Sequence, residues 1–485
     1  MNDNFIQLPD EVIYIISKLE NHGYCAYAVG ECVRDAILGR IPKDWDICTN
    51  AVPDRVIDVF SDDKILLTGY KYGTVTIFPK MIESSSRNEC GYEITTFRKD
   101  GKYKDGRRPE SVEFVSDIYT DLARRDFTIN AIAYSPSTGF IDPFGGIKDL
   151  WNRILKCVGN PEMRFYEDGL RIMRALRFAS VYSLSIDALT NIAITMCSWC
   201  MKKVSKERIT KELLEILETA DKPGEMLNLY PYVLMGIDDA FKACYKFDQN
   251  TKWHQHDLLT HMCLSVDYIR KGDVRREDLA CVRLAALLHD IGKPAACQWD
   301  EEKRTAHYYG HPKESVKIAE QMFSRSIRLT GKMKADVLML ISRHEDRRYA
   351  VPDPKKLLGK IGYQKTKMLF ALWKADIKAH GRPCAECRKE LLKELDEIGC
   401  YEKEADEAAD RGDAVSVKDL AVCGDDLILS GMKPGSAFSY ILSSLTDMVI
   451  EKRIRNEKQE LLSAAEEIYR CLDKDGYKSK EGCSN

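Results

Sequence analysis

Two carboxylates stand one residue apart in the segment VGECVRDAILGRIPKDWDICTN. Asp44 and Asp46 flank Trp45, beside the β-forming run that follows. In an extended strand, residues i and i+2 face the same side, so both carboxylates can converge on one point. They repel each other unless a cation lies between them, and carboxylates with phosphate oxygens are typical ligands of Mg²⁺. The alternative interpretation is a solvated strand end.

A turn that suits a phosphate group precedes this pair. We predict that a strand ends at Gly30 and that Arg34 and Asp35 begin a helical segment. Glycine lets the backbone approach a phosphate closely, and the N-terminus of a helix attracts anions. The turn therefore weakens the interpretation of the two aspartates as a solvated strand end.

Further polar residues downstream could complete such a site. Glu93 lies on the predicted strand YEITTF and could supply a third carboxylate, or be an ordinary exposed strand residue. In LARRDFTINAIAY, Arg125 precedes Asp126, and Asn130 shares a face with Asp126 if the segment is helical. These three groups suit a ribose and a triphosphate. The alternative is a capped helix with a salt bridge.

A helix is predicted over RFYEDGLRIMRALRFAS. Asp168 and Arg171 would share one face, and Arg174 and Arg177 would continue the row. A carboxylate beside a guanidinium can hydrogen-bond to the Watson–Crick edge of cytosine or adenine, although a plain helical salt bridge has the same spacing. Downstream, a basic row suits an RNA backbone or a solvated helix face: Lys202, Lys203, Lys206, Arg208 and Lys211.

Histidines are concentrated in the second half of the chain. An apolar helix ends at His289 and Asp290 in LAALLHDIGKP, with His261 upstream and His311, His344 and Asp376 downstream. Imidazole and carboxylate groups from separate helices form a good ligand set for a first-row transition metal. The alternative, a set of ordinary surface histidines, does not account for the repeated pattern.

Four motifs together closely resemble bacterial class II tRNA nucleotidyltransferases (CCA-adding enzymes) and the related poly(A) polymerases: VGxCVRDxxLGRxPKDWDICT, YGTVTI, EITTFR and LARRDFTINAIAY. The resemblance implies catalytic metals at Asp44 and Asp46. It also implies nucleotide contacts from the segment of Arg125, Asp126 and Asn130. The family usually has two glycines where this chain has Gly30 and Glu31. A carboxylate there would repel a triphosphate unless it points away or meets a cation.

The resemblance extends to the helical segments. EDGLR matches the family's base-reading motif, which implies base selection by Asp168 and Arg171, and KERITKEL resembles a neck element in which Arg208 and Glu212 are organising residues. RKDGKYKDGRRPES (98–111) resembles the flexible loop of enzymes that add A as well as C. The loop residues that match are Tyr103, Asp105, Arg108 and Pro109.

The histidine region resembles the HD phosphohydrolase superfamily. That resemblance implies a metal site formed by His261, His289, Asp290 and Asp376, with His311 and His344 nearby. The metal would be a divalent transition metal. Some family members cleave phosphomonoesters or 2′,3′-cyclic phosphates with this domain, whereas others keep its fold as a scaffold, and the resemblance leaves both roles open. The C-terminal segment resembles the tRNA-binding tail of the nucleotidyltransferases, where Gly431, Pro434 and Gly435 would form a turn.

The elements that must position these residues are an α+β head with a small mixed sheet, followed by an all-α neck, an HD domain and a tail. We predict their bounds as 1–155, 156–225, 226–395 and 396–485. The content of 44% hydrophobic and 31% charged residues is typical of a globular chain, and the net charge of −3 does not by itself indicate a nucleic-acid binder. No apolar run is long enough for a membrane helix, and the first residues do not form a signal peptide.

The 17 cysteines include two CxxC pairs, Cys197/Cys200 and Cys384/Cys387, which lie too far apart in sequence for a typical four-thiolate zinc site. We expect reduced thiols and a cytoplasmic protein.

The predicted function is template-independent addition of CCA to the tRNA 3′ end from CTP and ATP, with Mg²⁺ in the head. The alternatives are a poly(A) polymerase, an enzyme that adds A alone, an HD phosphohydrolase with a non-catalytic head, and a tRNA-binding scaffold. The sequence leaves the oligomeric state open.

Overall fold

The computed structural model describes residues 6–80, 91–101, 111–349, 353–381 and 384–474. The chain divides into two compact units, Met1–Lys242 with Ser324–Arg328, and Ala243–Phe323 with Leu329–Asn485. The four-part division made from the sequence stays a prediction. Its boundaries at 225/226 and 395/396 fall inside helices, Pro223–Leu229 and Ala385–Arg411.

The strands are short, and most of them belong to the first unit. In chain order they are β1 (Ala26–Val29), β2 (Asp46–Thr49), β3 (Lys64–Leu66), β4 (Thr74–Phe78), β5 (Tyr92–Thr96), β6 (Arg98–Asp100), β7 (Val112–Phe114), β8 (Ala133–Ser135), β9 (Gly139–Ile141), β10 (Ile154–Leu155), β11 (Ser185–Ile186), β12 (Gln298–Asp300) and β13 (Thr305–His307).

Helices form most of the remainder. They are α1 (Asp10–Asn21), α2 (Glu31–Ile37), α3 (Pro53–Val59), α4 (Ile118–Ala123), α5 (Gly146–Trp151), α6 (Pro161–Glu167), α7 (Leu170–Tyr182), α8 (Ala188–Met196), α9 (Lys206–Thr219), α10 (Pro223–Leu229), α11 (Pro231–Ile237), α12 (Ala240–Cys244), α13 (Leu258–Tyr268), α14 (Arg276–Leu288), α15 (Lys293–Ala296), α16 (His311–Arg325), α17 (Gly331–Arg343), α18 (Asp346–Tyr349), α19 (Pro354–Ile361), α20 (Tyr363–Ala379), α21 (Ala385–Arg411), α22 (Gly424–Leu429), α23 (Ala437–Ile450) and α24 (Lys458–Lys474).

A mixed seven-stranded sheet with the order β3-β4-β5-β2-β1-β8-β9 forms the head. β2 and β5 run parallel, whereas the other neighbours are antiparallel. Successive side chains of a strand face opposite sides. Ile47 therefore packs in the core beside α1, and Cys48 packs in the core on the other face with Phe97 and Leu122. The predicted α+β class, with a helical remainder after the head, is confirmed.

The predicted continuous helix over 164–180 is wrong at one point, because the chain breaks between α6 and α7. Asp168 is extended (φ −148°, ψ 104°), and its carboxylate accepts the backbone N–H of Leu170 at 3.0 Å. A Cβ on Gly169 would lie 2.7 Å from the carbonyl oxygen of Cys200. The break lets the backbone pack closely there and gives Asp168 a direction that a continuous helix would not allow.

The second unit is built around α13, α14, α17 and α20, which pack against one another. A charge-dense stretch, residues 402–411, forms the last part of α21. Within the tail, α22, α23 and α24 enclose their own apolar cluster around Leu427, Ile441 and Leu461.

Two further predictions concern particular segments. β6 and β7 pair at the ends of the predicted loop, but Tyr103, Asp105, Arg108 and Pro109 lie outside the described residues. Within the described ranges, no helix has both the length and the apolar character needed to cross a lipid bilayer.

Candidate nucleotide and metal sites

Three carboxylates gather where the central strands β2 and β5 begin, and this end of the two strands is called the carboxylate edge. Asp46 opens β2 and pairs in parallel register with Glu93 of β5, while Asp44 lies in a bend just before the strand rather than on it. Desolvation by the surrounding protein, with repulsion from Asp44 and Glu93, raises the pKa of Asp46 to about 6 despite the attraction of Arg125. Carboxylates this close together repel one another, so a cation bound between them would be favoured.

The predicted glycine turn lies beside this edge. Gly30 has φ +91°, a conformation that side chains disfavour, and a Cβ there would lie 2.9 Å from Nη1 of Arg125. The helix α2 begins directly after it, at Glu31, three residues earlier than expected. The turn therefore brings backbone atoms that carry no side chain close to the guanidinium group of Arg125.

The predicted trio of Arg125, Asp126 and Asn130 is held by a buried network. The segment forms a bridge and a 3₁₀ turn rather than one helix, yet Nδ2 of Asn130 donates to Oδ1 of Asp126 at 3.2 Å. Nη1 of Arg34 donates to Oδ1 of Asn130 at 2.8 Å. Arg34 is fully buried, so it lies beneath the surface of the site. From there it holds the side chain of Asn130 in position.

Arg174 joins the neck helix α7 to two head carboxylates. Its Nε lies 2.8 Å from Oδ2 of Asp126, and its Nη2 lies 2.9 Å from Oε1 of Glu31. Burial alone would raise the pKa of Asp126, but the guanidinium groups of Arg174 and Arg171 outweigh it and lower that pKa to about 2. The carboxylate is therefore ionised in the folded chain at neutral pH.

Glu31, which stands where the family usually has a second glycine, lies beside three arginine side chains. Besides Arg174, its carboxylate lies 3.5 Å from Arg34 and 3.6 Å from Arg177. Burial opposes ionisation, yet these three arginines hold the pKa of Glu31 below its ordinary value. Arg177 is in turn fixed by Glu212 at 2.7 Å. The repulsion expected beside a triphosphate is thus offset by the protein itself.

The predicted base-reading pair is supported by partners from different elements. Asp168 is held in bidentate fashion by Arg208 of α9, at 2.6 and 3.2 Å. Arg171 donates instead to Glu167 at 2.6 Å and to the carbonyl oxygen of Arg124 at 3.0 Å. The carboxylate and the guanidinium are therefore each held by a separate partner.

The predicted RNA-binding residues have different surroundings. Lys202 pairs with Asp239 at 3.3 Å, and Lys206 donates to the carbonyl oxygen of Ser324 at 2.9 Å. Lys211 is exposed. Arg208 is engaged by Asp168, so its guanidinium group joins α9 to the break between α6 and α7.

The second unit contains a buried cluster that matches the predicted metal ligands. Nε2 of His261 lies 3.0 Å from Asp376 and 3.3 Å from Asp290, and Nε2 of His289 lies 3.1 Å from Asp290. The Nε2 atoms of both histidines are buried without a hydrogen bond. The ligand atoms of these four residues lie within 4.8 Å of one another, so the donor set fits a divalent metal.

Asp290 reaches a second group of donors with its other oxygen. Oδ1 lies 2.9 Å from Nε2 of His311 and 3.4 Å from Nε2 of His344, and these two nitrogen atoms are 2.9 Å apart. The Nδ1 atoms of His289, His311 and His344 each face a backbone carbonyl at 2.7–2.9 Å. A carbonyl can only accept, so Nδ1 carries a proton, and Nε2 is the ring nitrogen that could ligate a metal in the neutral imidazole.

Sequence reasoning missed several partners. His311 and His344 were expected only near the metal site, whereas they form a second ligand group with Asp290, and His254 and His380 form a third with His261. Lys293 pairs with Asp290 at 2.6 Å, and Arg347 with Asp376 at 2.7 Å. Lys293 lies three residues after Asp290, a spacing that helical geometry could have suggested. No spacing rule joins the other residues, which come from separate segments of the chain.

Comparison with known proteins agrees with this architecture. A family model described as "Poly A polymerase head domain" matches residues 26–156, and one described as "HD domain" matches residues 257–371. The fold and the carboxylate edge therefore define a chain of the poly(A) polymerase head class, joined to an HD domain.

Comparison with individual relatives identifies the family within this class. The CCA-adding enzyme of Anoxybacillus flavithermus is 37% identical over 280 residues, covering 53% of this chain and 67% of that protein. The CCA-adding enzyme of Geobacillus sp. (strain WCH70) is 45% identical over 204 residues, which is 42% of this chain and about half (48%) of that relative's length. The crystal structure of the Bacillus stearothermophilus CCA-adding enzyme in complex with CTP aligns with a TM-score of 0.67 at 26% identity, covering 97% of this chain and all of that one (100%). The chain belongs to the family of CCA-adding enzymes.

The charge of Glu31 makes a testable contribution to stability. Because its pKa is lowered on folding, the ionised group stabilises the fold above its unfolded pKa of about 4.5, and this contribution is lost as the pH falls through the folded value. We expect Glu31→Gln to lower the free energy of unfolding by about 1–2 kcal/mol near neutral pH, a figure discounted for the partial exposure of the side chain. The difference should shrink in acid.

Urea unfolding of both proteins at a series of pH values measures this difference. Glu225→Gln is the matched control, because Glu225 makes an exposed pair with Lys222. An equal loss in the two variants, or a Glu31→Gln effect that does not change with pH, would contradict the assignment.

Proposed function

We propose that this chain adds CCA to the 3′ end of tRNA, using CTP and ATP and no template. The observation that carries the proposal is the parallel register of Asp46 and Glu93 beside the Gly30 turn and Arg125. This edge combines carboxylates for metal ions with a backbone turn and a cation for phosphates. Membership of the CCA-adding family supports the choice of substrates.

Asp44, Asp46 and Glu93 would hold Mg²⁺, since three carboxylates beside a phosphate-binding turn form a hard oxygen site. When bound, the metal activates the 3′-hydroxyl of the RNA and neutralises charge on the leaving pyrophosphate. Arg125, Asp126 and Asn130 would contact the sugar and phosphates of the incoming nucleotide. Arg34 and Arg174 hold Asn130 and Asp126 in place for those contacts.

Base selection would fall to Asp168 and Arg171. Cytosine and adenine both present an amino group beside a ring nitrogen that accepts, whereas uracil and guanine present a carbonyl beside a ring N–H. A carboxylate accepts from the amino group, and a guanidinium donates to the ring nitrogen. Arg208 is a positioning residue, because its two hydrogen bonds fix the direction of the Asp168 carboxylate.

The tRNA would be held by exposed basic residues of the neck, such as Lys211, and by the helical tail of α22, α23 and α24. We retain the division into head, neck, HD domain and tail as part of this proposal. We also infer a cytoplasmic location, because the cysteines of the described residues are free thiols, which is typical of a reducing compartment. Addition of A alone and poly(A) synthesis are the competing outcomes.

The carboxylate edge is tested by Asp46→Asn, which keeps the size of the side chain and removes its charge. We expect the rate of nucleotide addition to a tRNA transcript lacking CCA to fall at least about a thousandfold, because metal stabilisation of the transition state is worth several kcal/mol. Asp58→Asn, at an exposed pair with Arg55, is the control and should keep the wild-type rate.

Sequencing of the RNA 3′ ends decides among the activities. Addition of C, C and A followed by termination is the expected result. Addition of A only to transcripts that end in CC, or long A tails on unrelated RNA, would replace this function with a competing one. Unchanged activity in Asp46→Asn would show that the head does not catalyse the reaction.

The support of Asp168 by Arg208 is tested by Arg208→Ala. Without its bidentate partner the carboxylate loses its fixed direction, so we expect the preference for CTP and ATP over UTP, measured as a ratio of kcat/KM, to fall about tenfold or more. Lys211→Ala, one turn away and exposed, should keep that preference. Equal loss of rate with all nucleotides in Arg208→Ala would indicate a purely structural role.

We propose a second activity for the other unit, the hydrolysis of phosphate esters at a divalent transition-metal centre. One observation supports this proposal. Four buried side chains converge with their Nε2 and carboxylate atoms facing one another: His261, His289, Asp290 and Asp376. The group of Asp290, His311 and His344 adjoins it through the shared carboxylate and offers ligands for a second ion.

Metal binding is tested by His289→Ala, with His22→Ala as an exposed control. After dialysis against Mn²⁺, Co²⁺ or Ni²⁺, we expect wild type and His22→Ala to retain metal and to hydrolyse 2′,3′-cyclic AMP or p-nitrophenyl phosphate. His289→Ala should bind at least about a hundredfold more weakly, since a direct ligand is lost. Its rate of nucleotide addition should stay unchanged. Equal metal content in all three proteins would contradict the site.

A further inference from the structure

Two cysteines stand together at the start of the longest described helix. The Sγ atoms of Cys384 and Cys387 are 2.9 Å apart, at the N-terminus of α21. Cys384 is exposed, whereas Cys387 is buried. The pair thus combines one accessible sulfur with a second that solvent does not reach, at a separation that needs only a small movement to form a bond.

The surroundings of Cys384 favour its thiolate form. Its sulfur caps the 27-residue helix and accepts the backbone N–H of Cys387 at 3.4 Å. The hydrogen bond with the Cys387 side chain, followed by those with the backbone, lowers the pKa of Cys384. Thiolates at helix N-termini and in CxxC motifs are the reactive form of cysteine.

A second CxxC pair in the same chain shows the opposite environment. Cys197 and Cys200 are both buried at a short 3₁₀ segment, and burial raises the pKa of Cys200 to about 11. These thiols pack as small apolar side chains. The two pairs share the motif but differ in exposure and in the direction of their pKa shifts, so the motif alone does not determine the environment of its thiols.

A metal site is a poor explanation for the exposed pair. In the part of the chain that the structure describes, every group of three or more close metal-ligand atoms is made of histidine and aspartate, and neither Cys384 nor Cys387 belongs to one. Two thiolates by themselves fill only half of a tetrahedral zinc site.

We propose that Cys384 and Cys387 form a redox-active dithiol, which closes to an intramolecular disulfide by exchange with a low-molecular-weight disulfide. The Cys384 thiolate attacks one sulfur of the small disulfide, forms a mixed disulfide and releases one small thiolate. Cys387 then attacks the Cys384 sulfur while its proton passes to the departing sulfur, so the second small molecule leaves as a thiol. Two protein thiols are oxidised while one disulfide is reduced to two thiols.

The helix N-terminus also determines the direction of the equilibrium. It stabilises the thiolate of the reduced form and has no such interaction with the neutral disulfide. A stabilised reduced form makes a disulfide easier to reduce. The bond is therefore reversible under mild conditions, as a labile disulfide is, and does not serve as a permanent crosslink.

The test uses the full chain, reduced and then incubated with oxidised glutathione. Free thiols are blocked with iodoacetamide, and the tryptic peptide covering residues 379–388, which contains both cysteines, is weighed. We expect it to lose two hydrogen masses, to escape alkylation, and to regain both thiols with dithiothreitol. The peptides of Cys197 and Cys200 should be alkylated after denaturation as in the untreated protein.

Single variants separate the two roles. Cys387→Ser lacks the resolving thiol, so a glutathione adduct should accumulate on Cys384. Cys384→Ser should leave Cys387 a free thiol. Cys400→Ser, at another exposed position of α21, is the matched control and should form the disulfide as wild type does.

Two results would overturn the proposal. One is full alkylation of both cysteines after treatment of the wild type with oxidised glutathione. The other is zinc bound to the purified reduced chain in a ratio that Cys384→Ser abolishes, which would make the pair a metal site. Thermal unfolding of each variant shows that the compared proteins are folded.

Discussion

The pairing of buried arginines with carboxylates determines the geometry of the first unit. Arg174 lies between Asp126 and Glu31, and Arg177 lies between Glu31 and Glu212. A charged group removed from water must find an opposite charge, or its desolvation destabilises the fold. The helix α7 can therefore adopt only positions that keep these contacts. The same contacts fix the carboxylate of Asp126 close to the turn at Gly30 and to Glu31.

An equivalent constraint shapes the second unit, with a different consequence. There the buried Asp290 and Asp376 are partly neutralised by Lys293 and Arg347, while Nε2 of His261 and of His289 lies buried beside them without a hydrogen bond. Carbonyl oxygens fix the protons on the opposite ring nitrogens. A donor set of this kind could hold a cation, and under the proposal made above metal binding and folding would be linked in this unit.

Much of the candidate site was predictable because its residues carry local patterns. Strand alternation predicted that Asp44 and Asp46 converge, and the two carboxylates do interact although Asp44 precedes the strand. A glycine before a helix predicted the turn at Gly30. Local rules failed where a distant partner decides. The break at Asp168 arises because Gly169 packs against the backbone at Cys200, and Asp168 turns to Arg208 of another helix. Helical spacing alone had paired Asp168 with Arg171.

The sequence by itself determined the class of the fold, the family and the residue types at both centres, because these depend on short periodic patterns and on motifs in a characteristic order. The tertiary structure decided which charges meet. Glu31 looked like a defect beside a phosphate site, but its position among three arginines makes it part of the network. Asp290 looked like one metal ligand, but it joins two groups of donors. Such outcomes depend on contacts between residues far apart in the chain, and the electrostatic energy of a buried group depends on those contacts rather than on its sequence neighbours.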